Sequence, residues 1–446
     1  MKHILLFVLS FSLLAACSDA PQTIGQTVFI NVNVIPMDEE RVLEDQTVVI
    51  EGDRIVDILS SEEFDIAPGS TIIDGTGKYL IPGLAEMHGH VPPTNPGPNA
   101  PDYFDMEYVK NTLFLYISNG ITTVRGMLGY EDQLSLKDSV NSGAYMGPNL
   151  YLAGPSFNGN TISSPEEARE RAVQQKKEGW DLLKIHPGLS LEEYNAMVET
   201  ANDVGITFGG HVPADVGVIH AIKSGQITID HVDGYVAYLS EFEDDEMEEK
   251  MDEVIQLTKE NEVWIVPTMA LWETIIGAAD YEAMKQYDEL KYIPKAVKQN
   301  YFNFADNPQT GYTIGDPQEQ AELRTRILGE MNEAGVKILM GTDAPQLFSV
   351  PGFSIHRELP YMKAAGMTNF EILESGTKLV GEYFSEWDDF GTIAEGQRAD
   401  LILVNENPLE DLSAIQNHSG VMVQGKWYSR EMIDERLAEI EGYYSN

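Results

Sequence analysis

The chain is almost without cysteine. Cys17 is the single one among 446 residues. That excludes an intramolecular disulfide and any thiolate-bound metal centre. Basic residues are scarce too: 29 Lys and Arg face 72 Asp and Glu, a net charge of −43. This balance argues against nucleic acid or an anionic membrane surface as the main partner. It reads instead as a solubility feature, suited to a medium salty enough to screen self-repulsion. Internal repeats and low-complexity tracts are absent, which excludes solenoid and collagen-like architectures. No apolar run is long enough to span a bilayer.

What is present begins with a leader-like segment over residues 1–17. Lys2 gives a positive start, Ile4 to Leu14 is apolar, and Leu14-Ala15-Ala16-Cys17 follows. The pattern fits a signal-peptide core, and its end resembles a bacterial lipoprotein box. That resemblance implies lipidation at Cys17 and an extracytoplasmic protein that meets the membrane only through its acyl anchor. Residues 18–26 read as a short polar tether.

The body is 43% hydrophobic and long enough for one large domain and a smaller one. Residues 27–80 alternate as strands, as in Thr27-Val-Phe-Ile-Asn-Val-Asn-Val. Ala399-Asp-Leu-Ile-Leu-Val and Gly420-Val-Met-Val-Gln-Gly-Lys-Trp-Tyr have the same character. The two ends, 27–80 and 388–430, are therefore expected to form one β-sandwich, followed by a C-terminal helix over 431–446.

Between them, residues 81–387 alternate strand and helix. Candidate strands are Gly83–His88, Ile121–Gly126, Asn149–Ala153, Asp181–His186, Ile206–His211, Ile227–His231, Val263–Pro267 and Lys337–Asp343. Helical stretches opening at Ser164 and Ser190 carry Ser-x-x-Glu capping spacing. This α/β alternation predicts a (β/α)8 TIM barrel. The connection from Met269 to about Pro317 is long and Tyr-rich, and reads as a lid.

Polar residues fall at the ends of these strands. Tyr79-Leu-Ile-Pro-Gly-Leu-Ala-Glu-Met-His-Gly-His ends in His88 and His90, which share a face at i and i+2. Lys184 lies in the fourth strand, His211 and His231 end the fifth and sixth, and Asp343 ends the eighth. Strand C-termini share one face of a barrel, so these groups are expected to converge there. Paired imidazoles are what a transition metal requires.

The segment Tyr79 to His90, Gly341-Thr-Asp-Ala-Pro, and Gly391-Thr-Ile-Ala-Glu-Gly-Gln-Arg-Ala-Asp-Leu-Ile-Leu-Val together resemble the metal-dependent amidohydrolase superfamily. Within it they resemble the branch of imidazolonepropionase-related hydrolases and Xaa-Pro-type dipeptidases. The resemblance implies two divalent metal ions, with zinc the default. His88, His90 and Asp343 would hold one, His211 and His231 the other, and a carboxylated Lys184 would bridge them. Such a pair lowers the pKa of a shared water, and Asp343 would act as general base as well as ligand. The expected substrate is a small amide, a dipeptide above all, and a homo-oligomer is common for the family.

Two positions depart from the family pattern. Glu86 replaces the usual aspartate before the first histidine pair, and Arg125-Gly126 replaces Arg-Asp after the second strand. His186, Arg125 and Tyr235 are candidates to touch substrate, the last two through a carboxylate. His220 reads as packed on the barrel exterior, His418 as irrelevant to the chemistry, and His356 has no role derivable from the sequence. The same site could serve a lactone, ester or phosphotriester hydrolase. A deaminase is disfavoured by Ala214, where that branch carries glutamate. A reading of another class is a surface-anchored binding protein without turnover.

Overall fold

The computed structural model describes residues 26–60, 66–94 and 103–445. The leader-like segment, Cys17 and most of the tether lie outside them.

Both ends of the chain meet in one mixed sheet of eight strands. Thr27–Val34 pairs antiparallel with Leu43–Glu51 and parallel with Tyr79–Pro82. Tyr79–Pro82 in turn pairs antiparallel with Leu401–Val404, Leu80 opposite Leu403. The alternation read from the sequence becomes a separate small core, with Phe29, Val32, Val48, Leu80, Leu401 and Leu403 on its inner face. Tyr79–Pro82 runs directly into the first barrel strand, so this sheet fixes where the barrel begins.

The barrel strands come in two parallel groups. Leu84–Gly89, Ile121–Gly126 and Asn149–Leu152 form one. Leu182–Ile185, Thr207–Gly210, Thr228–Asp230 and Trp264–Val266 form the other. Parallel bridges from Ala153 to Leu182 and from Ile265 to Ile338 carry the ring across its gaps. The eighth position is irregular backbone, closed onto the first strand by Met87 N–H donating to Met340 O (2.9 Å) and Asp343 N–H donating to His88 O (2.6 Å). Most barrel strands are buried along their whole length, which is why they read as continuous apolar runs.

Helices return the chain between strands. Ser190 and Glu193 form the full reciprocal cap expected of their spacing. At Ser164 half of it forms: Ser164 accepts from Glu167 N–H, while the Glu167 carboxylate turns to Ser163. The long connection after the seventh strand is mainly helical, with Met269–Ile276 and Lys295–Asp306 its principal elements. No helix among the described residues is long and apolar enough to cross a membrane. Arg430–Ser445 forms a helix.

Candidate metal centre

The strand C-termini deliver their polar side chains to one buried point. His88, His90 and Asp343 offer ligand atoms that all lie within 4.8 Å of one another. His90 Nε2 is 2.5 Å and His88 Nε2 3.6 Å from Asp343 Oδ1. His231 Nε2 is 3.8 Å from Asp343 Oδ2. The His231 ring lies 4.4 Å from that of His88 and 4.5 Å from that of His211. Lys184 Nζ, fully buried, stands 3.3 Å from His88 Nε2.

The backbone is bent to achieve this. His231, Thr268 and Asp343 adopt φ of 65°, 46° and 61°, a left-handed region that costs a non-glycine residue free energy. Each turns a strand end so that its side chain faces the cluster or a member of it. Gly210 is a requirement of a different kind. Its φ is +124°, and a Cβ there would meet Ile185 O at 2.5 Å and Lys184 Cδ at 2.9 Å. The lysine can lie across the strand only because this position has no side chain.

Two of the imidazoles are held from behind by hydrogen bonds. His211 Nδ1 lies 2.7 Å from Asp233 Oδ2, and His231 Nδ1 2.7 Å from Thr268 Oγ1. His88 Nδ1 approaches Asp230 Oδ2 at 2.8 Å, although the angle is not that of a hydrogen bond. Supported Nδ1 atoms leave Nε2 directed at the centre, the arrangement metal sites use to fix tautomer and orientation. His231 Nε2 is buried and without a hydrogen-bond partner among the described residues. Burial first, then nearby positive charge, holds His88 and His231 well below the ordinary histidine range. Both are therefore neutral, the form that ligates. The donor set fits a divalent cation.

Asp230 lies beneath the centre and was not a sequence candidate. It has no solvent exposure, and sits 3.2 Å from Arg125 Nη2 and 3.6 Å from Lys184 Nζ. Burial acts to raise its pKa, but Arg125 and Lys184 outweigh burial and hold it below the usual range. Lys184 is moved down by its own burial, against the pull of Asp230 and Asp343. Glu86 links the first and eighth positions. It accepts from His88 N–H (3.0 Å) and Thr342 N–H (2.7 Å), and burial pushes its carboxyl up to about 8. The Glu-for-Asp exchange thus keeps a carboxyl beneath the ligand loop.

The substrate candidates fare differently. His186 stands beside the cluster, its ring 5.1 Å from that of His211. Arg125 does not face the mouth: it is fully buried and donates to Met87 O, Thr228 Oγ1, Tyr383 OH and Asp230. Tyr235 is also fully buried, its hydroxyl 2.7 Å from Thr258 Oγ1. Neither can take a substrate carboxylate in this arrangement. Their polar ends are already used inside the fold. His220, His356 and His418 are held by Asn195, Asn119 and the Ser118 carbonyl.

A cavity of about 840 Å³ lies against the loops that follow His211 and His231, reaching Val212, Val232 and Asp233. It is lined by Val212, Asp233, Val236, Trp272, Tyr312 and Arg324, among others. Trp272 and Tyr312 come from the long connection between the seventh and eighth barrel positions, the part of the chain expected to cover the mouth.

A (β/α)8 barrel with histidines and an aspartate converging at its strand C-termini defines a candidate metal centre. The amidohydrolase family profile matches residues 79–428, and the chain belongs to that family. The chain is 23% identical over 355 residues to ochratoxinase of Aspergillus niger, covering 68% of this chain and 64% of that protein. It thus spans a little under two thirds of that relative's length. It is 24% identical over 413 residues to 5-methylthioadenosine/S-adenosylhomocysteine deaminase of Caldanaerobacter subterraneus, 84% of each chain. Among solved structures, a Xaa-Pro dipeptidase with bound methionine superposes with a TM-score of 0.69 at 24% identity, covering 91% of this chain and 100% of that one.

Proposed function

We propose that this protein is a dipeptidase-like hydrolase of small amides, working with two divalent cations, zinc by preference, bridged by a carboxylated Lys184. The observation that carries the reading is the meeting of His88, His90, His231 and Asp343 around one buried point, with Lys184 Nζ 3.3 Å from His88. Cations bound there supply Lewis acidity to a scissile carbonyl and make water acidic enough to react near neutral pH.

The chain's own groups do the rest. Asp343 accepts the proton of the attacking water at its carboxylate and returns it to the departing amine nitrogen. Gln346 Nε2 donates to Asp343 Oδ1 at 2.9 Å and keeps the carboxylate oriented. Lys184 is removed from solvent and shifted toward its free amine, the form that can add carbon dioxide. His186, its ring 5.1 Å from that of His211, is the remaining candidate to touch substrate. The dipeptidase fold neighbour supports amide cleavage. Ala214, in the cavity wall, offers no acid for deamination. The leader-like segment and Cys17 support an extracytoplasmic protein tethered by acyl chains.

The test is a dipeptide panel on protein of measured metal content, with Asp343→Asn beside the wild type. The variant is expected to keep most bound metal and lose about 10²–10⁴-fold in turnover. Near-wild-type turnover in it, or no hydrolysis by fully loaded wild type, overturns the proposal.

A further inference from the structure

Arg324 is a buried cation that no carboxylate of the described chain neutralises by contact. It lies in the helix Pro317–Ala334, on the buried face shared with Gln320, Ala321, Ile327, Leu328 and Met331. Its side chain is 2% exposed. One Nη2–H donates to the His231 carbonyl, and the guanidinium lies 4.7 Å over the Trp272 ring. That ring packs 5.5 Å from the His231 imidazole. The Nε–H is buried with no hydrogen-bond partner among the described residues.

The nearby acids are committed elsewhere. Asp233 accepts from His211, Glu273 from the Tyr361 hydroxyl, and Glu358 from the N–H groups of Met269 and Ala270. They act on Arg324 only through space. A buried guanidinium in this condition is costly unless something pairs with it. It also lines the cavity against the loops that follow His211 and His231, together with the apolar Val212, Val236 and Ile314. An arginine fork matches a carboxylate in both shape and charge.

We propose that Arg324 is the anchor for a substrate carboxylate. The cavity would then receive the C-terminal residue of a short peptide or N-acyl amino acid with an apolar side chain. This deepens the amide-hydrolase reading and rests on it for the scissile bond, but the binding step can be tested alone.

The experiment is calorimetric titration of the metal-loaded full chain with N-acetyl-L-leucine and with N-acetyl-L-leucinamide. The wild type is expected to bind the acid at least about tenfold more tightly than the amide. Arg324→Gln, which keeps a donor for the His231 carbonyl, is expected to bring the two to parity with metal content unchanged. Equal binding by the wild type, no binding of either probe, or a preference that survives in Arg324→Gln overturns the proposal. The wild-type comparison stands without any variant, and Arg324→Lys, expected to retain part of the preference, replaces Arg324→Gln if the latter misfolds. Cleavage of glycyl-leucine is followed in parallel. An Arg324-dependent acid preference without cleavage sinks the hydrolase reading alone; cleavage without acid preference sinks the Arg324 assignment alone.

Discussion

Arg125 and Asp230 form an ion pair 3.2 Å long in which neither side chain has any exposure to solvent. Lys184 and His88 both lie against the same carboxylate, so the pair is the floor of the metal centre. Arg125→Met would leave Asp230 charged, buried and short of one partner. Unpairing of this kind costs about 3–5 kcal/mol. A large fall in melting temperature is expected in the variant; an unchanged value would show that the pair is dispensable.

Asp233 and Thr268 hold His211 and His231 by Nδ1. Asp233→Asn and Thr268→Ala leave every proposed ligand in place, yet each is expected to weaken metal binding about 10–100-fold. Competition against a chelator of known affinity measures this. Unaltered affinity in both variants would remove the supporting role assigned to these contacts.

Gly210→Ala places a methyl group 2.5 Å from Ile185 O and 2.9 Å from Lys184 Cδ. The lysine must move or the strand must shift. Loss of bound metal is expected even where circular dichroism shows a folded barrel. Full metal occupancy in the variant would mean that Lys184 has room the structure does not give it.

Stability should depend on pH through His418, which lies outside the metal centre. Burial first, then Arg430, takes its pKa from 6.5 down to about 4. Below about 6.5 the unfolded chain therefore binds a proton that the folded chain refuses. Stability from this group is intact above that value and falls as pH drops toward about 4. At pH 4.5 the loss is on the order of 2 kcal/mol. Denaturation of wild type and His418→Gln at pH 7 and 4.5 should show a shallower acid loss in the variant; parallel losses contradict the assignment.

The convergence of His88, His90 and Asp343 was legible in the sequence because barrel geometry is periodic. A histidine or aspartate at the C-terminal end of an apolar barrel strand is brought to the end of the barrel where the other strand ends meet. The carboxylate anchor was not legible in the same way. Arg125 and Tyr235 sit near strand ends but turn inward, and only packing decides that. Arg324 lies inside a charged helical stretch, Ala321-Glu-Leu-Arg-Thr-Arg, which reads as a solvated face. Its spacing from Gln320, Ala321, Ile327, Leu328 and Met331 marks the buried stripe instead. Asp230 carried a similar signal, since Thr228 and Asp230 share one face of their strand. The irregular eighth position was read as a strand because its apolar run is strand-like; its backbone instead bends to aim Asp343.

Leu80 and Leu403 face each other across adjacent strands, yet the entire barrel lies between them in the chain. During synthesis the first of these partners must wait until nearly all of the polypeptide has emerged. Contacts so remote in sequence form late and slowly. The clasp at the base of the molecule is thus the last thing to fasten, and a truncation within the final strands would strand an otherwise complete barrel with its opening hydrogen bonds unmet.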